Sequence, residues 1–188
     1  MDHYVDLKLL PDPEFPAPML MNALFSKLHR ALVEMHSNTI GVSFPELQPD
    51  QPSLGRCLRA HGTERDLAQL MQKNWLAGMR DHITQQKVAK VPDEIQHRRI
   101  KRVQSKSSAE RLRRRHAKRH PELSETELLN RIPDFVEQQL DLPFIRIQSG
   151  SSGQQFRLFL EHLPVQKEPV KGKFNSYGLS TEATIPWF

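Results

Sequence analysis

YVDLKLLPDPEFPAPMLMNALFSKLHRALVEMHSNTIGVSF, residues 4–44, changes its hydrophobic period twice. Val5, Leu7 and Leu9 alternate, as on one face of a strand, and Pro11, Pro13 and Pro16 end the run. From Ala17 to about Met35, Leu20, Leu24, Leu28, Ala31, Leu32 and Met35 recur every three or four positions, the spacing of a helix face. Ile40, Val42 and Phe44 alternate again before Pro45. Strand, helix and strand in that order make a βαβ unit.

The pattern repeats more weakly. Cys57 to His61 reads as a short strand, and a helix is expected from Glu64 to about His82, with Leu67, Leu70, Met71, Trp75, Leu76 and Met79 on one side. Val88 to Val91 offers another strand. The first 95 residues therefore predict βαββαβ, the ferredoxin-like order also used by RNA-recognition modules. A boundary near Pro92 to Gln96 leaves 96–188 as a smaller α+β domain, so the whole chain is expected to be α+β.

That second half is less regular. Ser107 and Glu110 have the spacing of a capping box ahead of a helix over 108–120, and Ser124 and Glu127 form another, opening a helix that Pro133 must kink or divide. Phe144 to Gln148 reads as a strand, Ser149 to Gly153 as a turn, and Phe156, Leu158 and Leu160 as the returning strand. RIKRVQSK, residues 99–106, alternates like an edge strand or an extended linker. The C-terminal FNSYGLSTEATIPWF shows no assignable period.

Composition narrows the function classes. With 188 residues and 37% hydrophobic content, the chain can bury a real core, and no stretch approaches the roughly 20 apolar residues of a membrane span. Asp2 and Asp6 stand where a signal peptide would be basic and then apolar, and the single Cys57 allows no internal disulfide. A cytoplasmic location is expected. The net charge of +5 is unevenly spread: Gln96 to His120 holds eleven Lys or Arg against one acid, Glu110, while the rest holds 16 basic and 21 acidic residues. A concentrated basic strip on an acidic body is the footprint of a nucleic-acid partner, with a solvated linker as the plain alternative.

Within that strip Arg111, Arg115 and Lys118, with Arg114 and Arg119 beside them, share one broad helical face. Like charges at those spacings repel, and Leu112 and Ala117 are nearly the only apolar side chains, so a polyanion is the expected packing partner. Arg102 and Gln104 point the same way if extended, and their bidentate groups suit guanine and adenine edges; solvated polar residues would look the same.

No Gly-rich phosphate loop or clustered carboxylates are present, so no cofactor or metal is expected. Metal-free cleavage of RNA uses the adjacent 2′-hydroxyl and needs a general base or acid near neutrality, most naturally a histidine. Of nine histidines, His29 lies at the rim of the first helix's apolar stripe, between Phe25 and Leu32 on neighbouring turns. It suits that role or is an ordinary boundary residue. Ser149, Ser151 and Ser152 read first as hairpin-turn residues, and Tyr177 as a hydroxyl donor or an aromatic covering a loop.

MDHYVDLKLLPDPEFP, IGVSFPEL, RVQSKSSAERLRRR, RIPD, LPFIRIQSGSSGQQFRLF and YGLS…PWF, in that order over nearly the whole chain, resemble the type I-F member of the CRISPR-associated precursor-crRNA endoribonucleases, a Csy-type branch of the RAMP superfamily. The resemblance implies a ferredoxin-like domain followed by one with an Arg-rich helix. It implies metal-independent cleavage of each CRISPR repeat RNA at the 3′ base of its hairpin, leaving a 2′,3′-cyclic phosphate and a 5′-hydroxyl. By the same resemblance His29 transfers the proton, Ser149 positions the nucleophilic ribose and Tyr177 supports them. Arg111, Arg114, Arg115, Lys118, Arg119 and His120 would grip the stem, Arg102 and Gln104 would read its lowest base pairs, Phe156 would stack near the cut, and Ser151 would touch the RNA. Two departures stand out: Lys118 replaces an arginine of the family pattern, losing a bidentate fork, and Gln148 replaces a basic residue before the serine. A register shift of two would pass the role of Ser149 to Ser151.

The resemblance further implies that the protein stays on its product hairpin as a subunit of the crRNA-guided surveillance complex, with no membrane partner. A non-catalytic hairpin-binding subunit and, from another class, a DNA-binding regulator using the same helix are the alternatives.

Overall fold

Alternation at Val5, Leu7 and Leu9 produces β1 (His3–Leu9), the strand on which the main sheet is assembled. The computed structural model describes residues 1–47, 53–104, 109–133, 140–148 and 153–188. β1 pairs antiparallel with β3 (Cys57–Gly62), which pairs with β2 (Gly41–Ser43) on its other side. β4 (Ile83–Gln85) takes the opposite edge of β1, giving the order β2-β3-β1-β4. The strand expected at Val88–Val91 appears as β5 (Ala89–Lys90), which continues that edge. Three residues, 86–88, face only Val5 and Asp6 of β1, so a bulge separates β4 from β5.

Helix α1 (Ala17–Glu34) starts and ends within a residue of the sequence expectation, with Leu20, Leu24, Phe25, Leu28 and Leu32 buried. Helix α2 is shorter than its periodicity suggests. Thr63 caps it by accepting from the Asp66 amide, but it spans only Glu64–Gln72, because Lys73 turns to extended backbone (ψ 145°). Leu76 and Met79 are still buried, delivered by turns, with Gly78 in the left-handed region (φ +73°). The same apolar spacing is met without a helix.

The remaining strands are β6 (Gln96–Arg98) paired with β10 (Ile185–Trp187), and a sheet of order β7-β9-β8 from Ile100–Val103, Gln155–His162 and Phe144–Gln148. Contacts group the chain as Met1–Arg102 with Leu142–Phe188, and Val103–Asp141 separately. This differs from a cut at residue 95 for a physical reason. The β8–β9 ribbon returns to α1, where Asn22 Oδ1 accepts from the Arg146 amide at 2.9 Å, and Ile145, Ile147, Leu158 and Leu160 join the core of the first residues. Unit 103–141 carries α3 (Ala109–Arg119) and α4 (Glu125–Arg131). The Ser124–Glu127 capping box is formed, and α4 ends two residues before Pro133. Ser107, half of the other expected box, lies outside the described residues. Among the described residues no helix is long and apolar enough to cross a membrane.

Two buried polar devices accompany the core. Asp6 and Arg59 face each other across β1 and β3 in a two-pronged ion pair of 2.6 and 2.9 Å, with the guanidinium over the rings of Tyr4 and Phe188. His61 is fully buried against Ser43 Oγ at 2.8 Å, and neither ring nitrogen of His162 has a hydrogen-bond partner among the described residues. Burial, then the nearby Arg59, pushes His61 down to about 3; burial, then Arg98, pushes His162 down to about 4.

Both imidazoles are neutral in the fold and protonate near 6.5 once unfolded. Their contribution is complete above pH 6.5 and lost as pH falls toward their folded values. Each should remove about 2 kcal/mol between pH 6.5 and 5. Urea unfolding of wild type and His162→Leu at pH 7 and pH 5 checks this: the acid loss should shrink by about 2 kcal/mol in the variant. An equal loss in both would contradict a neutral buried His162.

Candidate functional site

His29 follows the fully buried Leu28 and is half-buried at the edge of α1. Its Nδ1 stands 2.8 Å from the Ser176 carbonyl oxygen. A carbonyl only accepts, so Nδ1 carries hydrogen and Nε2 is left as the nitrogen able to take or give a proton. The imidazole lies face to face with the Tyr177 ring, at 4.1 Å and 16°, and Phe25 is parallel to that ring at 6.4 Å.

The turn that brings Tyr177 there is closed on itself. Asn175 Oδ1 accepts from the Tyr177 amide at 2.9 Å and the Leu179 amide at 3.2 Å, while the Asn175 carbonyl accepts from Gly178 at 2.9 Å. Gly178 has φ +70°, and its carbonyl accepts from the amide of buried Val42 at 2.9 Å. A Cβ on Gly178 would lie 2.3 Å from Val42 Cγ2. Only glycine permits both the left-handed backbone and this approach to β2.

His29 and Tyr177 line a groove of about 1620 Å³ together with Phe156, Gln148 and Gly153. The Arg102 guanidinium is 5.5 Å from the Phe156 ring and 5.9 Å from the Tyr177 ring, and its buried Nε has no hydrogen-bond partner among the described residues. Ser149 and Ser151 lie outside the described residues. Their loop leaves β8 at Gln148 and returns at Gly153, and Gln148 Nε2 donates to the Gly153 carbonyl at 3.1 Å.

In the other unit, Arg114, Arg115, Lys118 and Arg119 are exposed on one face of α3. Leu112, Arg113, His116 and Ala117 are half-buried, with Arg113 Nη1 donating to the Ile132 carbonyl at 2.8 Å beyond the end of α4. His120 follows the helix, its ring 4.6 Å from that of His116 and its Nδ1 3.1 Å from Glu122 Oε1. The side chain of Arg111 is outside the described set. Gln104 is exposed and falls in this unit, whereas Arg102 falls in the first.

Sequence reading singled out His29, Tyr177, Arg102 and Phe156, and the fold gathers these four. It missed Asn175, Gly178 and the Ser176 carbonyl, although Asn-x-x-Gly is a turn signal. Burial pushes the Cys57 thiol up to about 12, which keeps it protonated and unreactive. Among the described residues no three His, Cys, Asp or Glu side chains converge to hold a metal ion.

The comparisons agree with one another. A family model described as CRISPR-associated protein (Cas_Csy4) matches residues 4–188. A protein of Pseudomonas aeruginosa (strain UCBPP-PA14), named CRISPR-associated endonuclease Cas6/Csy4, is 50% identical over 188 residues, covering all of both chains. One of the same name from Escherichia coli (strain UTI89 / UPEC) is 46% identical, also over the full length of both.

Gly178 and Gly78 share a positive φ, but a Cβ on Gly78 would meet nothing within 4 Å. Gly78→Ala should therefore cost about 1 kcal/mol and Gly178→Ala clearly more, about 3 kcal/mol. Thermal melts of the two variants decide it, and equal costs would remove the Val42 approach as the constraint.

Proposed function

Since the chain belongs to the CRISPR-associated Cas_Csy4 family, we propose that it is a metal-independent endoribonuclease that cuts CRISPR repeat RNA at the 3′ base of its hairpin to give mature crRNA. The relatives' printed name supports an endonuclease, and the geometry of His29 carries the chemistry. Its ring is held on one side by a carbonyl and on its face by Tyr177, so Nδ1 is occupied and Nε2 is the nitrogen left to exchange a proton with the RNA.

The reaction balances with no outside reagent. The 2′-oxygen attacks the adjacent phosphorus, the bond from phosphorus to the 5′-oxygen breaks, the 2′-hydroxyl gives up a proton and the leaving 5′-oxygen gains one. His29 serves this transfer, Ser149 holds the ribose, with Ser151 touching the RNA in the same loop, and Tyr177 keeps the imidazole in place. Phe156 stacks at the stem base, and Arg102 and Gln104 read its lowest pairs. Arg111, Arg114, Arg115, Lys118, Arg119 and His120 hold the stem's phosphates. These contacts outlast the cut, so the protein stays with the hairpin as a subunit of the surveillance complex, in the cytoplasm.

The main sheet fits this reading. Its order β2-β3-β1-β4 with α1 and α2 between the strands supports a ferredoxin-like, RRM-like arrangement.

A cognate repeat hairpin in excess EDTA should be cut by wild type, while the same RNA with a 2′-deoxy before the cut should bind equally and stay whole. His29→Ala should slow cleavage by about 10²-fold or more at unchanged Kd. Binding should weaken with salt at a log–log slope of about −4, reduced by about 2 in Arg115→Ala/Arg119→Ala. Cleavage by His29→Ala at the wild-type rate would overturn the assignment.

A further inference from the structure

We infer that His116 and His120 form a chelating pair for a transition-metal ion of the zinc class, and that the ion competes with RNA for His120. The metal site stands on geometry inside the 103–141 unit, while the competition rests on the hairpin-cleavage reading, which sets His120 on a stem phosphate. The two histidines are four residues apart at the end of α3, and the His120 amide donates to the His116 carbonyl at 2.9 Å, so one helical turn separates them. Their ring centres are 4.6 Å apart. Two histidines at that spacing are how a helix presents a pair of nitrogens to zinc.

Each ring has a nitrogen to offer. Hydrogen bonding from its own amide and from His120 holds the Glu122 carboxyl below its ordinary range, so an ionised acceptor stands 3.1 Å from His120 Nδ1. A carboxylate only accepts, so Nδ1 carries hydrogen and the lone pair of the neutral ring is on Nε2. A carboxylate behind the ring in this way is the usual support of a metal-bound histidine. His116 Nε2 is buried with no hydrogen-bond partner among the described residues, a cost that a ligand on it would remove. Both side chains are only half-buried, which leaves the rings room to turn toward a common ion.

The surroundings select the kind of ion. Mg²⁺ and Ca²⁺ take oxygen ligands, whereas imidazole nitrogen suits zinc, copper and nickel. Among the described residues no third His, Cys, Asp or Glu closes the site, and exposed Arg115, Lys118 and Arg119 repel any cation, so the ion is held reversibly with water completing its shell. One atom then serves two partners. Toward a phosphate His120 donates hydrogen from Nε2; toward a metal it presents the lone pair there. Zinc and stem exclude each other at that atom, and by linkage each weakens the other by the same factor.

Calorimetric titration of Zn²⁺ into the full, metal-free chain tests the site, with His116→Leu and Glu122→Gln beside wild type. Wild type should bind one more Zn²⁺ than His116→Leu, Glu122→Gln should bind it about tenfold more weakly, and Mg²⁺ should give no such site. With that site filled, wild type should bind an uncleavable hairpin, 2′-deoxy before the cut, about tenfold more weakly, and EDTA should restore the affinity. His116→Leu keeps His120, so it should bind the hairpin as zinc-free wild type does and lose nothing when zinc is added. Equal zinc isotherms in wild type and His116→Leu would overturn the site. Zinc that occupies the pair yet leaves the hairpin affinity of wild type unchanged would overturn the competition. A wild-type chain that binds no hairpin even in EDTA would instead overturn the hairpin reading, with the zinc isotherms still deciding the site.

Discussion

The close approach of Gly178 to Val42 is the constraint on which the site depends. Val42 is fully buried beside the central strands, so its amide and side chain are as fixed as anything in the molecule. By giving that amide an acceptor and presenting no Cβ, Gly178 locks the 175–179 turn onto the sheet. Asn175 then closes the turn from within, Tyr177 is laid on His29, and the Ser176 carbonyl takes up Nδ1. An imidazole on a helix edge would otherwise have free rotation about its own side chain. Here the Ser176 carbonyl, 147 residues away in sequence, and the adjoining Tyr177 ring remove it.

The proposed holding and cutting of RNA make opposite demands, and the chain offers different materials for them. Grip needs charge spread on a solvated surface, which α3 supplies by turning Arg114, Arg115, Lys118 and Arg119 outward while Arg113 ties its inner side to the end of α4. Proton transfer needs a single group in a defined tautomer, which requires the rigid sheet and its turn. The apolar side of that unit is small: Ala109 and Leu128 are buried, and Leu112 and Ala117 half-buried.

Local patterns were legible in the sequence, and nonlocal geometry was not. Period and punctuation placed β1, α1, β2, β3 and the β8–β9 hairpin, because each depends on residues near in sequence. The same logic overextended α2, since Leu76 and Met79 satisfy a helical period while reaching the core through turns. It missed β4, whose three residues carry too little alternation to register. His29 and Tyr177 were both singled out, but their stacking follows from a left-handed glycine meeting a strand far away in sequence, which no period encodes.

The most direct test is the tautomer of the neutral His29 ring in the free protein, read from its two ring nitrogens by long-range proton–nitrogen NMR. Solvated neutral histidines favour hydrogen on Nε2, so the default and the account differ. The structure predicts hydrogen on Nδ1, held by the Ser176 carbonyl, with Nε2 bare toward the groove. Hydrogen found on Nε2 would mean that the turn does not hold the ring, and the assignment of Nε2 as the reacting nitrogen would fall.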